Sequence, residues 1–265
     1  MKDKYSELKY GLRDTQNAFR FWFDKVKECG IRVPKTVVFD VPVEIVRSFY
    51  MENQDKDYET VNKWVKEVVR PKLADEKLHG LLFIKNGVFS NKFDAGRSCM
   101  SIESNAMTDN IININYTALS MIMGYDGTNQ LVVRERIPHD MQKTPCFYNG
   151  LPLRSEFRVF YDFDSHEIIF TANYWEYDYV APHLYDVTDK IIFESQKETL
   201  EKEFEARKSE VEKLVAEKMA NINSLSGPWS IDLLWEGEQY WLIDMAVAEQ
   251  SAFWEKRHGK IIEGK

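Results

Sequence analysis

Along the chain, apolar and polar positions alternate with two distinct periods, and the period changes character near residue 130. Leu8, Leu12, Phe19, Phe21, Phe23 and Val26 recur at helical spacing, which predicts an amphipathic helix over 6–29 that stops at Gly30. A short strand is expected in Ile31–Phe39, followed by a helix opened by Pro42 and running to about Met51. Val61, Trp64, Val65, Val68 and Val69 predict a helix over 58–76. Leu81-Leu82-Phe83-Ile84 reads as an apolar strand that runs into a Gly-containing loop, Lys85 to Phe93. Residues 112–123 fit neither period, and Gly124-Tyr125-Asp126-Gly127 is a turn signal.

Beyond that point strands dominate. Leu131 to Ile137 is one. Glu156 to Tyr161 and Glu167 to Ala172 form a pair around a turn at Asp162 to Ser165. A long charged helix over 194–222 carries Leu200, Phe204, Val211, Val215 and Met219 on one face, and its Glu/Lys density is that of a solvated surface. Gly227-Pro228 ends it. Trp229 to Trp235 and Tyr240 to Met245, joined by Glu236-Gly237-Glu238-Gln239, make a hairpin. Segregated helices and antiparallel strands predict an α+β sandwich rather than a doubly wound sheet.

Composition narrows the function. The 265 residues are 44% hydrophobic, enough for one large domain or two packed lobes. A formal net charge of −8 with no basic run argues against non-specific nucleic-acid binding, which rests on neutralising phosphates. No apolar run is long enough to span a bilayer, and the N-terminus lacks a signal-peptide core, so no membrane partner and a cytoplasmic location are expected. Three scattered cysteines argue against a disulfide framework, and no CxxC or HExxH spacing suggests zinc. Neither GxGxxG nor GxxxxGK[ST] is present.

Five residues nevertheless carry chemistry in a telling order. Lys85 ends an apolar strand beside a Gly loop, where it would reach phosphate as a point charge, or would simply be a surface lysine. Arg134 lies within strand 131–137. Arg158 shares a strand face with Glu156 and Phe160, placed for bidentate contact with phosphate or exposed on a half-buried strand. Asp232 and Asp244 each sit in an apolar strand of the final hairpin. With a turn near Gly237 they lie nearly opposite, so they repel unless a cation such as Mg²⁺ sits between them.

Lysine, arginine, arginine, aspartate, aspartate is an order that resembles the ATP-grasp superfamily. Phe83-Ile84-Lys85, Leu131-Val132-Val133-Arg134, Glu156-Phe157-Arg158, the helix 194–222, and Ile231-Asp232 through Trp241-Leu242-Ile243-Asp244-Met245-Ala246 are similar to the small clade that holds the eukaryotic cell-division-cycle protein assisting assembly of translation initiation factor two. Gly30 to Thr36 looks like the entry segment common to the superfamily. The resemblance implies two lobes whose antiparallel sheets sandwich the nucleotide. Residues 1–130 would be a helical and small α+β lobe carrying the phosphate-contacting lysine, and 131–265 the lobe with the metal-binding hairpin. It implies ATP and Mg as ligands. Lys85 would contact the phosphates, and Val133, Arg134, Glu135, Arg136 and Ile137 would form the hinge strand beside adenine. Arg158 would reach the triphosphate and, with Lys85, act in catalysis. Asn173 would stand toward the acceptor, and Asp232 and Asp244 would hold the metal. The clade places an asparagine ligand where this chain has Ala246, and Glu249 is the expected substitute. Lys92, Arg97 and Arg154 are candidates to face an acidic substrate.

Three functions follow. The first is an ATP-dependent carboxylate–amine (or thiol) ligase, acting on an acidic small molecule, peptide or protein acceptor. The second is an ATP-binding assembly factor, its partner docking near Tyr174 to Tyr185, a stretch that equally suits ordinary packing at a lobe interface. The third is a fold that has lost its nucleotide, motivated by Ala246. The small size suggests a bacterial or phage member.

Overall fold

The computed structural model describes residues 15–121, 128–140 and 142–255. Residues 6–14 of the expected 6–29 helix and the Gly124–Gly127 turn lie outside these residues. Helix α1, Phe19–Val26, is followed by Gly30 at φ +93°, a conformation that glycine adopts without a Cβ penalty. Then come β1 (Thr36–Asp40), α2 (Val43–Ser48) and α3 (Gln54–Trp64). The helix expected over 58–76 is interrupted by a π-helical turn, Val65–Val69, before α4 (Arg70–Asp75). Its closing bond runs from the Arg70 N–H back to Val65 O, and Pro71 follows with no N–H to donate, so the wider turn accommodates the proline. β2 (Leu81–Asn86), α5 (Ala95–Ser98), β3 (Cys99–Ser101), α6 (Met107–Met121) and β4 (Gln130–Glu135) complete this part.

After two short strands, β5 (Cys146–Phe147) and β6 (Leu151–Pro152), come β7 (Glu156–Asp162), β8 (Glu167–Asn173), α7 (Tyr177–Val180) and α8 (Val187–Met219). The hairpin β9 (Pro228–Glu236) and β10 (Gln239–Val247) ends the fold. Helix α8 starts seven residues before its expected first turn because Asp186 caps it, accepting from the N–H groups of Thr188 (2.8 Å) and Asp189 (3.0 Å). The hairpin turns through Gly237 and Glu238, both at φ near +60°, the twist that two-residue loops require.

Two compact units result. Of the described residues, 15–21, 34–137 and 148–151 form the first, and 22–33, 138–147 and 152–255 the second. The strand 131–137, expected to open the second lobe, is β4, and it is hydrogen-bonded between β1 and β2 within the first unit. That unit holds an antiparallel sheet in the order β1-β4-β2-β3. One face, Val37, Phe39, Leu82, Ile84, Met100, Leu131 and Val133, packs into a core with Ile45, Val61, Val65, Leu73, Ile111 and Ile114 of the helices.

The second unit holds an antiparallel sheet in the order β10-β9-β7-β8. Phe157, Val159, Ile231 and Leu233 share one buried face, and α8 lies along it, its Phe204 stacked on Phe157 with ring centroids 5.8 Å apart. Phe160 and Ala172, on the opposite face, pack with Ala248 and Phe253 of the C-terminal segment. Among the described residues no helix is long and apolar enough to cross a membrane.

Candidate functional site

In the first unit the register Lys85↔Val132 and Phe83↔Arg134 puts Lys85 and Arg134 diagonally on one face, opposite the helical core. Both side chains are buried, as is the Phe19 ring that lies against them, its centroid 5.4 Å from Lys85 Nζ and 5.2 Å from Arg134 Cζ. The turn after Lys85 is held by Asn86, whose amide donates to Asn115 Oδ1 (3.0 Å) and whose Oδ1 accepts from the Val88 N–H (3.2 Å). Gly87 is required by close approach: a Cβ there would meet Thr128 Cγ2 at 2.6 Å and Gln130 Cβ at 2.8 Å.

The expected hinge residues divide between faces. Val133 and Glu135 point to the helical side, Val133 into the core, with Glu135 accepting weakly from the His79 N–H (3.4 Å). Arg136 donates to Gly150 O (3.1 Å). Main-chain pairing of the strand continues through Glu135 N–H to Lys35 O and Arg136 N–H to Leu81 O. A central strand spends its backbone groups on its neighbours, so through Arg136 the main chain of the expected hinge is paired within the sheet.

In the second unit the pairings Asp244↔Asp232, Arg158↔Asp232 and Arg158↔Ala172 set Asp244, Asp232, Arg158 and Ala172 in one row across four strands. A bulge makes this row. From Gln239↔Glu236 to Leu242↔Leu233 the paired positions are in strict alternation, and the register then shifts between Leu242 and Asp244. Without that extra residue Asp244 would share the face of Leu242, toward α8; with it, Asp244 stands beside Asp232. Arg158 grips Asp232 bidentately, Nε to Oδ1 at 2.8 Å and Nη2 to Oδ2 at 2.7 Å, and its Cζ lies 4.7 Å from the Tyr174 ring centroid. Burial alone would lower the Arg158 pKa. The Asp232 charge and hydrogen bonds, then the charges of Asp244 and Glu156, outweigh it and hold Arg158 above its ordinary value.

Two expected site residues stand elsewhere. Asn173 pairs with Phe157, so strand parity turns it to the α8 face, where its amide donates to Glu201 (3.1 Å) and its Oδ1 accepts from the Trp175 N–H (3.0 Å). Glu249 is exposed in a 3-10 turn, and among the described residues no three His, Cys, Asp or Glu side chains gather as a metal site. Ala246 lies opposite Ser230, whose hydroxyl donates to the Ala246 carbonyl (3.3 Å). The hairpin therefore offers two adjacent carboxylates. This donor set suits Mg²⁺, which takes one or two carboxylates and keeps water and phosphate as its other ligands. Of the residues expected to face an acidic substrate, Arg97 binds Asp94 (3.0 Å) and Arg154 binds Glu236 (3.1 Å). Lys92 lies 5.7 Å from the Phe93 ring centroid. The Tyr174 and Phe19 rings, which lie against these cations, were not expected beside them from the sequence.

No protein-family model matches the sequence, and no curated protein matches it. Solved structures do. C-terminally truncated Cdc123 from Schizosaccharomyces pombe superposes with a TM-score of 0.60 at 12% identity, covering 97% of this chain and 93% of that one. A second structure of Cdc123 from the same organism gives 0.54 at 13%, covering 98% and 94%. A RimK domain ATP-grasp protein from Sphaerobacter thermophilus gives 0.41 at 12%, covering 97% of this chain and 66% of that chain. The fold is of the ATP-grasp type, built from antiparallel sheets and helices. Within that fold the chain resembles Cdc123, over nearly the whole length of both.

Proposed function

We propose that this chain binds Mg-ATP and uses it as a carboxylate–amine (or carboxylate–thiol) ligase. The observation that carries the proposal is the row Asp244–Asp232–Arg158, two carboxylates and a locked arginine side by side on one sheet face. Such a row suits a triphosphate with its metal: carboxylates for the cation, guanidinium for the phosphate oxygens. Asp232 uses one lone pair of each oxygen on Arg158, and a carboxylate has about four acceptor sites, so it retains capacity for a metal. Two of the five Arg158 N–H donors are engaged by Asp232. In the first unit Lys85 and Arg134 bring two further cations to one sheet face, as phosphate contacts.

In the proposed reaction an acceptor carboxylate oxygen attacks the γ-phosphorus, the bond to the bridging oxygen of ADP breaks, and an acylphosphate forms. An amine (or thiol) then attacks the acyl carbon, phosphate leaves with the bonding pair, and the nucleophile's proton passes to solvent. Mg²⁺, when bound, neutralises charge on the triphosphate. The protein's residues position reactants and oppose the developing charge: Arg158 against the moving phosphoryl group, Asp232 by fixing the plane of Arg158.

A second reading is an ATP-binding assembly factor for a protein partner, without ligase turnover. The fold likeness to Cdc123 over nearly the whole length of both chains favours it. Release of ADP and phosphate that depends on added carboxylate and amine supports the ligase. Saturable Mg-ATP binding with no such release, whatever the acceptor, supports the assembly factor.

A further inference from the structure

We propose that Phe19 is a positioning residue for the phosphate-contacting cations, its ring ordering Lys85 and Arg134 on the sheet face; this rests on the Mg-ATP reading. The two cations are diagonal neighbours on β2 and β4, so they repel each other. An aromatic ring attracts both through its quadrupole and adds no charge of its own. Phe19 is placed for this: fully buried, with its centroid 5.4 Å from Lys85 Nζ and 5.2 Å from Arg134 Cζ.

The segment that carries the ring is clamped to two strands of the same sheet and to the turn that follows a third. The Phe19 N–H donates to Gly87 O (2.9 Å), two residues beyond Lys85, and the Arg20 N–H donates to Gln130 Oε1 (3.1 Å) at the start of β4. The Arg20 guanidinium donates to Asp40 Oδ2 (2.5 Å) and Val38 O (2.9 Å) of β1. The ring is therefore fixed relative to both cations by backbone and side-chain bonds that do not involve them. The geometry of the pair is built before any phosphate arrives.

The test separates electrostatics from packing. Phenylalanine at position 19 is replaced by its mono-, di- and trifluorinated analogues, which weaken the ring quadrupole with little change in size. ATP and ADP affinities are expected to fall stepwise, to about tenfold (about 1.4 kcal/mol) at the trifluoro ring, with adenosine affinity unchanged. Phe19→Leu should behave like the last member, and Phe19→Tyr like wild type. Equal affinity across the fluorination series, or equal losses for ATP and adenosine, would overturn the proposal. A readout independent of nucleotide is the NMR shift of the Lys85 ε-methylene protons, expected upfield from ring current in wild type and normal in Phe19→Leu. An unshifted Lys85 in wild type also overturns it. Absence of ATP binding by wild-type protein with a shifted Lys85 would count against the nucleotide reading while leaving the positioning contact supported.

Discussion

Arg158→Met removes one partner of the buried pair and keeps most of the side-chain volume. The pair has little contact with solvent, 12% of the Arg158 side chain and 7% of the Asp232 side chain remaining exposed. Taking away the arginine strands Asp232 beside Asp244, with which it is directly paired. At a separation of about 5 Å and an effective dielectric near 20, two such charges repel by about 3 kcal/mol. Breaking a buried pair costs about 3–5 kcal/mol in general, and the second carboxylate moves this case toward the upper end. The Tyr174 contact is lost as well. Urea unfolding followed by tryptophan fluorescence should therefore show Arg158→Met less stable by about 4–5 kcal/mol, a large share of the total for a typical domain. The double variant Arg158→Met, Asp232→Leu leaves no uncompensated charge in that pair and should recover most of the loss. A single variant within about 1 kcal/mol of wild type, or a double variant no better than the single one, would refute this account of the row.

Three further outcomes are expected. Gly87→Ala should lower stability by about 1–3 kcal/mol in urea unfolding, because its Cβ would overlap Thr128 and Gln130, whose positions are set by the sheet. Asn173→Ala should lower stability through loss of its bond to Glu201 yet leave ATP affinity untouched in a titration, since Asn173 lies on the α8 face. Tyr240 is pushed up to about 12 by burial and by its hydrogen bond to Glu210, so the folded state holds that proton longer than the unfolded chain does. Wild-type stability should then fall as pH rises from about 10 to 12, and Tyr240→Phe should flatten that part of the curve.

How much of this was legible in sequence differs from residue to residue. The buried strand ending in Lys85 and the final hairpin were readable because apolar runs bounded by Gly and charge leave few alternatives. The facing of Asp232 and Asp244 was reached from the turn position, but a strict ladder from Gln239↔Glu236 would have set Asp244 opposite Ile231, toward α8. It is the bulge at Leu242–Asp244 that brings the acids together. Nothing local marks a bulge there except the cost of the alternative, an ionised carboxylate turned into an apolar core. Asn173 went the other way. Its proximity in sequence to the acceptor side said nothing of parity, which is fixed by pairing with Phe157 across β7. Helix α6 was unreadable by period because Asn113 and Asn115 interrupt the apolar spacing, each returning its amide to a carbonyl one turn back, Asp109 and Ile111. The early start of α8 was hidden because its first turns carry exposed Val187 and Ile191, so only the Asp186 cap announces them.

The central claim is that the paired acids of the hairpin serve a metal-bound nucleotide rather than the fold. The most direct measurement is a calorimetric titration of Mg-ATP into wild type and Asp244→Asn, with thermal unfolding of both proteins in the absence of ligand. The account predicts saturable, Mg²⁺-dependent binding by wild type that is lost in the variant. It also predicts that the variant stays folded without ligand, because asparagine keeps the size and shape of the aspartate side chain. Unchanged Mg-ATP affinity in Asp244→Asn, or no binding by wild type under any Mg²⁺ concentration, would contradict it.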